Sequence, residues 1–250
     1  MILVLGGTKE GREIVDYLVK NDKQIIASVT SKYGARLLAE YDIQINKKPL
    51  KKKELSTFIK QNNIKKIIDA THPFAEKISR NAISVAQLHN IDYIRYERKR
   101  VNFDKDNDLL DLASNYKEAA QKAQEFDKIL LTIGSNNLSY FTETVDNWQE
   151  KLIVRVLPHY KYMKKLQQMG FPLSNIIAVK GPFTQEFNQI IIKDYEIEVV
   201  VSKASGPAGG LDTKFKAAQS CNIPLLVIER PDINYDNKVS DLEELWGFLK

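Results

Sequence analysis

Cysteine is almost missing from this sequence. Cys221 is the only one in 250 residues, so no disulfide can close within the chain and a disulfide-stapled secreted scaffold is excluded. No stretch comes near the ~18–20 consecutive apolar residues of a membrane-spanning helix. No basic region precedes Met1-Ile2-Leu3-Val4-Leu5, and Lys9, Glu10 and Arg12 soon interrupt that run. No export signal is expected, therefore, and the expectation is a soluble, cytoplasmic protein without a membrane partner. The three histidines, His72, His89 and His159, make no metal-ligand spacing, so no metal is expected. Low-complexity tracts are lacking too, and 28% charged with 43% hydrophobic residues is an ordinary globular balance that excludes disorder.

The charge excess is small, +5 from 37 Lys+Arg against 32 Asp+Glu. It suits attraction of an acidic small molecule. The basic runs Lys47–Lys53 and Arg98–Arg100 carry no interleaved aromatics and read as solvated faces, so no nucleic-acid partner is expected. Nothing in the pattern sets an oligomeric state.

Short apolar runs alternate with amphipathic stretches from end to end. Ile2–Leu5, Gln24–Val29, Lys66–Ala70 and Tyr93–Tyr96 read as strands, nearly continuous in Ile, Leu and Val, as parallel strands covered on both faces should be. Helical patterns lie between them at about 9–20, 33–39, 51–61 and 74–88. A polar, charged stretch over 98–108 reads as a crossing between domains. The alternation then resumes with strands Lys128–Ile133, Leu152–Leu157, Ile176–Val179, Glu198–Ser202 and Pro224–Glu229, and a short terminal helix at Asp241–Leu249. The expected fold is α/β: two Rossmann-like, doubly wound domains with mainly parallel sheets. The expected bounds are 1–100 for a dinucleotide-binding domain and 101–250 for a substrate domain.

Ligands of such sheets bind beyond the carboxyl ends of the strands, so the residues after each strand matter most. Gly6-Gly7-Thr8-Lys9-Glu10-Gly11-Arg12 follows the first strand and opens the first helix. Gly6 and Gly11 fit the outer glycines of G-x-G-x-x-G, with Thr8 at the middle one. A helix N-terminus there offers amides and partial positive charge to a pyrophosphate, and the Thr8 hydroxyl is placed to reach a phosphate oxygen. A plain turn with Thr8 as N-cap fits the same residues. The second strand ends in Ser28-Val29-Thr30-Ser31-Lys32, with Arg36 beyond and no carboxylate for a ribose 2′-hydroxyl. Hydroxyls and cations suit a 2′-phosphate, which favours NADPH over NADH. Asp69-Ala70-Thr71-His72-Pro73-Phe74-Ala75 places polar groups at another strand end, expected beside the first loop. Pro73 fits the first helical position with His72 at or just before the N-cap, and Asp69 reads as buried.

In the second half, Thr132–Leu138, Lys180-Gly181-Pro182-Phe183-Thr184 and Ser202-Lys203-Ala204-Ser205-Gly206-Pro207-Ala208-Gly209-Gly210 are glycine-bearing strand ends, with Lys214 just inside the next helix. Together they suggest a cleft of amides, hydroxyls and lysines suited to carboxylates or phosphates. Arg155 and His159, on either side of Pro158, either bind substrate carboxylates or form a surface strand exit. Cys221 reads as a small buried residue.

Gly6-Gly7-Thr8-x-Glu10-x-Arg12, Asp69-Ala70-Thr71-His72-Pro73-Phe74-Ala75, Gly181-Pro182-Phe183, Lys203-x-Ser205-Gly206 and Ile223-Pro224…Glu229-Arg230-Pro231 occur together in order. In this the sequence resembles the precorrin-6A reductases, including those acting on the cobalt form, from residue 1 to about 231. It departs from their pattern at Gly11, where Ala is usual, and at Ala204, where Asp or Asn is common. The resemblance implies an oxidoreductase that uses NADPH to reduce one double bond of precorrin-6A or cobalt-precorrin-6A to the 6B form, in cobalamin biosynthesis. It implies two Rossmann-like domains with the cofactor between them. Gly6, Gly7, Thr8 and Arg12 would then hold the pyrophosphate, and Ser28, Ser31 and Arg36 the 2′-phosphate. Thr71, His72 and Phe74 would shape the nicotinamide pocket. Arg155, Gly181, Lys203, Ser205, Gly206 and Lys214 would meet the tetrapyrrole, with His72 or Lys203 delivering a proton. Two other readings stay open here: an S-adenosylmethionine-dependent tetrapyrrole methyltransferase, and a non-catalytic nucleotide-binding sensor.

Overall fold

The computed structural model describes residues 1–98, 107–206 and 209–250. Its strands form where the sequence offers apolar residues to both faces of a sheet. Along β1 (Ile2–Leu5), Val4 packs on one face with Ile14, Val15 and Leu18 of α1 (Lys9–Lys20). Leu3 and Leu5 pack on the other with Leu55 and Ile59 of α3 (Lys52–Gln61) and Val85 of α4 (Glu76–His89). A period of two with both faces apolar is what a parallel strand under two helical layers requires. The elements between are β2 (Ile25–Ser28), α2 (Lys32–Leu37), β3 (Gln44–Asn46), β4 (Lys66–Asp69) and β5 (Asp92–Tyr96).

The chain divides into two units, Met1–Lys99 with Asp232–Lys250, and Arg100–Pro231. The first holds a six-stranded parallel sheet in the order β12-β5-β4-β1-β2-β3, where β12 is Lys238–Val239. The second unit contains β6 (Leu110–Ala113), α5 (Tyr116–Ala123), β7 (Ile129–Leu131), α6 (Ser139–Thr142), α7 (Trp148–Lys151), β8 (Leu152–Val156), α8 (Tyr160–Met169), β9 (Ile176–Ala178), α9 (Gln185–Asp194), β10 (Val199–Lys203), α10 (Leu211–Ser220) and β11 (Leu225–Ile228). Its parallel sheet runs β6-β11-β10-β7-β8-β9. The doubly wound α/β class is as expected. The two orders match strand for strand, except that the outer strand beside β5 comes from the end of the chain and the one beside β11 from the segment entering the second unit.

Three expectations need correction. The last stretch of the expected 101–250 domain belongs to the first unit. Lys238 and Val239 pair with Arg95 and Tyr96, and Leu245 and Leu249, from α11 (Leu242–Gly247) and just beyond it, enter the same core cluster as Val4. The strands β3, β6 and β12 have no counterpart in the sequence reading. All lie at or near sheet edges and are short and half polar, so no continuous apolar run announces them. Finally, α4 begins at Glu76 with Ala75 as its N-cap, so Pro73 and Phe74 form a turn before the helix rather than its first positions. Of the expected crossing at 98–108, residues 99–106 lie outside the described residues, as do Pro207 and Ala208 of the long glycine loop. Among the described residues, no helix is long and apolar enough to cross a membrane.

Candidate active site

In the first unit β1 has β2 on one side and β4 on the other, so the strand order reverses between β1 and β4 while all three run parallel. A crevice opens at such a switch point, beyond the strands' carboxyl ends. The loops leaving β1 and β4 meet there: Thr8 Oγ1 donates to the Ala70 carbonyl at 2.9 Å. The same oxygen accepts from Gly11 N at 3.1 Å and caps α1. Its single proton is thus committed to protein, and the hydroxyl expected to reach a phosphate instead ties two loops together. Gly7 has φ +125°, a conformation that strains any side chain, and nothing stands within 4 Å of where its Cβ would be. A Cβ on Gly11 would come within 3.1 Å of the Gly6 Cα, so this glycine seats α1 against the loop. Arg12 folds its guanidinium back onto the Thr8 carbonyl at 3.3 Å. Glu10 pairs with Arg98 at 3.0 Å.

At the end of β2, Ser28 Oγ accepts from Asn46 Nδ2 at 2.9 Å. Ser31 caps α2 by accepting from Gly34 N at 2.9 Å, and Arg36 is exposed on that helix. Asn46 also donates to the Lys48 carbonyl at 2.8 Å. That bond fastens Lys47 and Lys48 beside Ser28, on a groove of about 890 Å³ between β3 and α3. Lys47 and Lys48 are exposed, as expected of a solvated face.

The loop after β4 is built on buried charge. Asp69 has no exposed surface, and its Oδ1 accepts from Thr71 N (2.9 Å), Thr71 Oγ1 (2.6 Å) and Arg95 Nη1 (3.0 Å). Tyr93 Oη donates to Oδ2 at 2.7 Å. Arg95 is itself buried and its Nε meets Glu97 at 3.3 Å, while Lys238 reaches Glu97 from β12 at 3.2 Å. Burial pulls the Arg95 guanidinium down, but Asp69, Tyr235 and Glu97 outweigh it and hold it protonated above the usual range. Burial first, then Asp69, push the Tyr93 phenol far up. Thr71 is thereby fixed, and the chain turns so that Phe74 N donates to His72 Nδ1 (3.2 Å) and Ala75 N to the His72 carbonyl (2.7 Å). An imidazole that accepts at Nδ1 carries its proton at Nε2 when neutral. The sequence reading missed Arg95 and Glu97. An arginine inside a strand buried on both faces was the signal, since such a charge must find a partner.

The second unit repeats the plan with β7 between β8 and β10. Thr132 N and Oγ1 both donate to the Val201 carbonyl at 2.9 Å, tying the start of the loop after β7 to strand β10 at that switch point. Lys203 ends β10, and Ser205 is buried behind it with its amide on the Lys203 carbonyl. Gly206 (φ +80°) and Gly210 (φ +62°) turn the chain into α10. There Lys214 is buried, with Nζ on the Gly209 carbonyl at 2.6 Å. Arg155 lies inside β8 rather than at a surface exit. It is buried, donates to Asn188 Oδ1 at 2.7 Å and lies 4.4 Å from the centre of the Phe183 ring. A Cβ on Gly181 would stand 2.9 Å from that ring, so the glycine lets Phe183 fold onto Arg155. Burial pushes Arg155 down to about 10 and lowers Lys203. Burial, then Arg155 and Lys203, push Lys214 down to about 7, against a smaller pull from Asp212. Lys214 thus feels two other cations from a poorly hydrated place, which suits a ligand with several carboxylates. His159 is an exposed N-cap of α8 and stays out of this group, and Cys221 is the partly buried C-cap of α10.

Comparison with known proteins bears on the whole chain. The family model described as precorrin-6x reductase CbiJ/CobK matches residues 1–250. A cobalt-precorrin-6A reductase of Priestia megaterium is 39% identical over 247 residues, covering 98% of this chain and 96% of its own. One of Methanocaldococcus jannaschii is 36% identical over 249 residues, covering 99% and 97%. The solved structure of a CobK precorrin-6A reductase superposes with a TM-score of 0.77 at 23% identity, covering 99% of this chain and 95% of that one, and so shares the fold.

Proposed function

The chain belongs to the precorrin-6x reductase family, and from that membership we propose that it uses NADPH to reduce one carbon–carbon double bond of cobalt-precorrin-6A. It is an oxidoreductase of the CH–CH type, and the cobalt form is chosen because both relatives above are named for it. The observation that carries the placement of the coenzyme is the junction of the two loops at the first switch point, Thr8 to Ala70.

The residues there fit a dinucleotide. Gly7 leaves an open cradle at the N-terminus of α1, and Arg12 holds its charge over the first helical turn. Gly6, Gly7 and Arg12 would take the pyrophosphate, with Thr8 holding the cradle's shape. Ser28, Ser31 and Arg36, joined by Lys47 and Lys48, would take the 2′-phosphate. Thr71, His72 and Phe74 would border the nicotinamide, which when bound supplies the hydride. In the second unit Arg155, Lys203 and Lys214, with the Ser205 and Gly206 backbone and the Gly181 loop, would hold the peripheral carboxylates and orient the ring. Lys203 at Nζ, or His72 once its imidazole is doubly protonated, would complete the addition of hydride and proton across the double bond. The family match removes the footing of a methyltransferase.

Anaerobic incubation with cobalt-precorrin-6A and with the metal-free ring, following NADPH absorbance, tests the reading. Oxidation faster with the cobalt form and with NADPH than with NADH is expected. No oxidation with either ring would sink it.

A further inference from the structure

The charges under the loop after β4 are more than the fold needs. Removing charges from water is costly, and replacing such a group by apolar residues is often neutral for stability. Yet Asp69, Arg95 and Glu97 are all buried at the end of the first sheet, where they touch one functional segment. Arg95 Nη1 reaches Asp69 Oδ1 at 3.0 Å and Thr71 Oγ1 at 3.3 Å, and Thr71 in turn binds the same carboxylate through its amide and hydroxyl. Neither Asp69 nor Arg95 has surface to offer a ligand. The guanidinium is gripped on its remaining sides by Glu97 and by the Tyr235 ring, 5.5 Å away, which stacks on Tyr93. Its backbone is held as well: Arg95 N donates to the Asn237 carbonyl at 2.9 Å, and Lys238 pairs with Glu97.

We propose that Arg95 is a positioning residue: acting through Asp69 and Thr71, it fixes the segment Ala70–Phe74 so that His72 and Phe74 face the reacting end of the coenzyme in one geometry. The C-terminal segment, by bracing Arg95 and Glu97 from β12, is part of this support. The inference rests on the coenzyme placement proposed above. It separates two jobs in the first unit. The cradle at Gly7 and Arg12 sets how tightly the dinucleotide is held, and the Asp69–Arg95 pair sets how well its far end is aimed.

The test uses the full-length protein with Arg95→Gln, Arg95→Lys and Tyr93→Phe. Hydrogen exchange of a peptide spanning 69–75 is measured without coenzyme, and NADPH affinity and turnover are measured separately. In Arg95→Gln the loop peptide should exchange about tenfold faster or more while the central strands keep wild-type protection. NADPH affinity should stay within about threefold while turnover falls about 30- to 100-fold, as expected when reacting groups are held slightly out of place. Arg95→Lys should recover to within about tenfold of wild type, because a cation is restored beside Asp69 without the fork. Should Arg95→Gln fail to fold, Tyr93→Phe removes one bond to Asp69 and leaves the ion pair; it should quicken loop exchange and cost about three- to tenfold in turnover at unchanged NADPH affinity. Unchanged loop exchange in a folded variant, or a turnover loss matched by an equal loss of NADPH affinity, would overturn the proposal. A wild-type protein that oxidises no NADPH with either ring would instead defeat the proposed function, and the exchange measurement would still decide whether Arg95 sets the loop.

Discussion

Lys214 gives the sharpest physical test of the cationic group in the second unit. Its ammonium is buried beside Arg155 and Lys203 and lies at about 7 against an ordinary lysine value of 10.5. The folded state therefore gives up the proton more readily than the unfolded state. Between about pH 7 and 10.5 the unfolded chain binds more protons, so wild-type stability attributable to this group rises with pH, and the full penalty is felt below about pH 7. At about 1.4 kcal/mol per pH unit the ceiling on that penalty is on the order of 5 kcal/mol. Lys214→Met removes the charge but also leaves the Gly209 carbonyl, now 2.6 Å from Nζ, without that donor, a loss of about 1–2 kcal/mol. The variant should thus be about 3 kcal/mol more stable than wild type near pH 6.5 and slightly less stable near pH 10, with a crossing between. Urea unfolding of both proteins across that range measures it. A variant less stable at about pH 6.5, or a difference that does not change with pH, would refute the idea that Lys214 is held as a buried cation beside Arg155 and Lys203. A ligand carrying carboxylates should erase the wild-type penalty and draw a proton onto Lys214 as it binds, measurable as buffer-dependent binding enthalpy.

Three further outcomes follow from the first unit. Gly7→Ala forces a side chain into φ +125°, so it should cost about 1–3 kcal/mol of stability and weaken NADPH binding by about tenfold or more, read by coenzyme titration. Thr8→Val loses the cap on Gly11 and the bond to Ala70 together; a stability loss of about 1–2 kcal/mol in urea and a raised KM for NADPH are expected. Arg36→Ala and Lys48→Ala should each lower the preference for NADPH over NADH about tenfold with kcat for NADPH nearly kept, and an unchanged KM ratio would remove both from the 2′-phosphate site.

Most strands and helices can be read from residues alone because parallel strands under two helical layers must be continuous in Ile, Leu and Val, and glycines must stand where the backbone turns sharply. That logic locates the loop after β1, the segment at Asp69–Ala75 and the cations near β8 and β10. It fails where an element is defined by its neighbour. Lys238–Val239 is a strand only because β5 offers it an edge, and this returns the chain's end to the first unit. It fails again where a polar side chain has two possible partners. Thr8 can serve a phosphate or Ala70, and the pairing of β1 with β4 puts Ala70 within reach. Arg95 is one charged residue in an apolar strand until the sheet sets it beside Asp69 and Glu97; local order shows that such charges exist, and only long-range packing chooses what neutralises them.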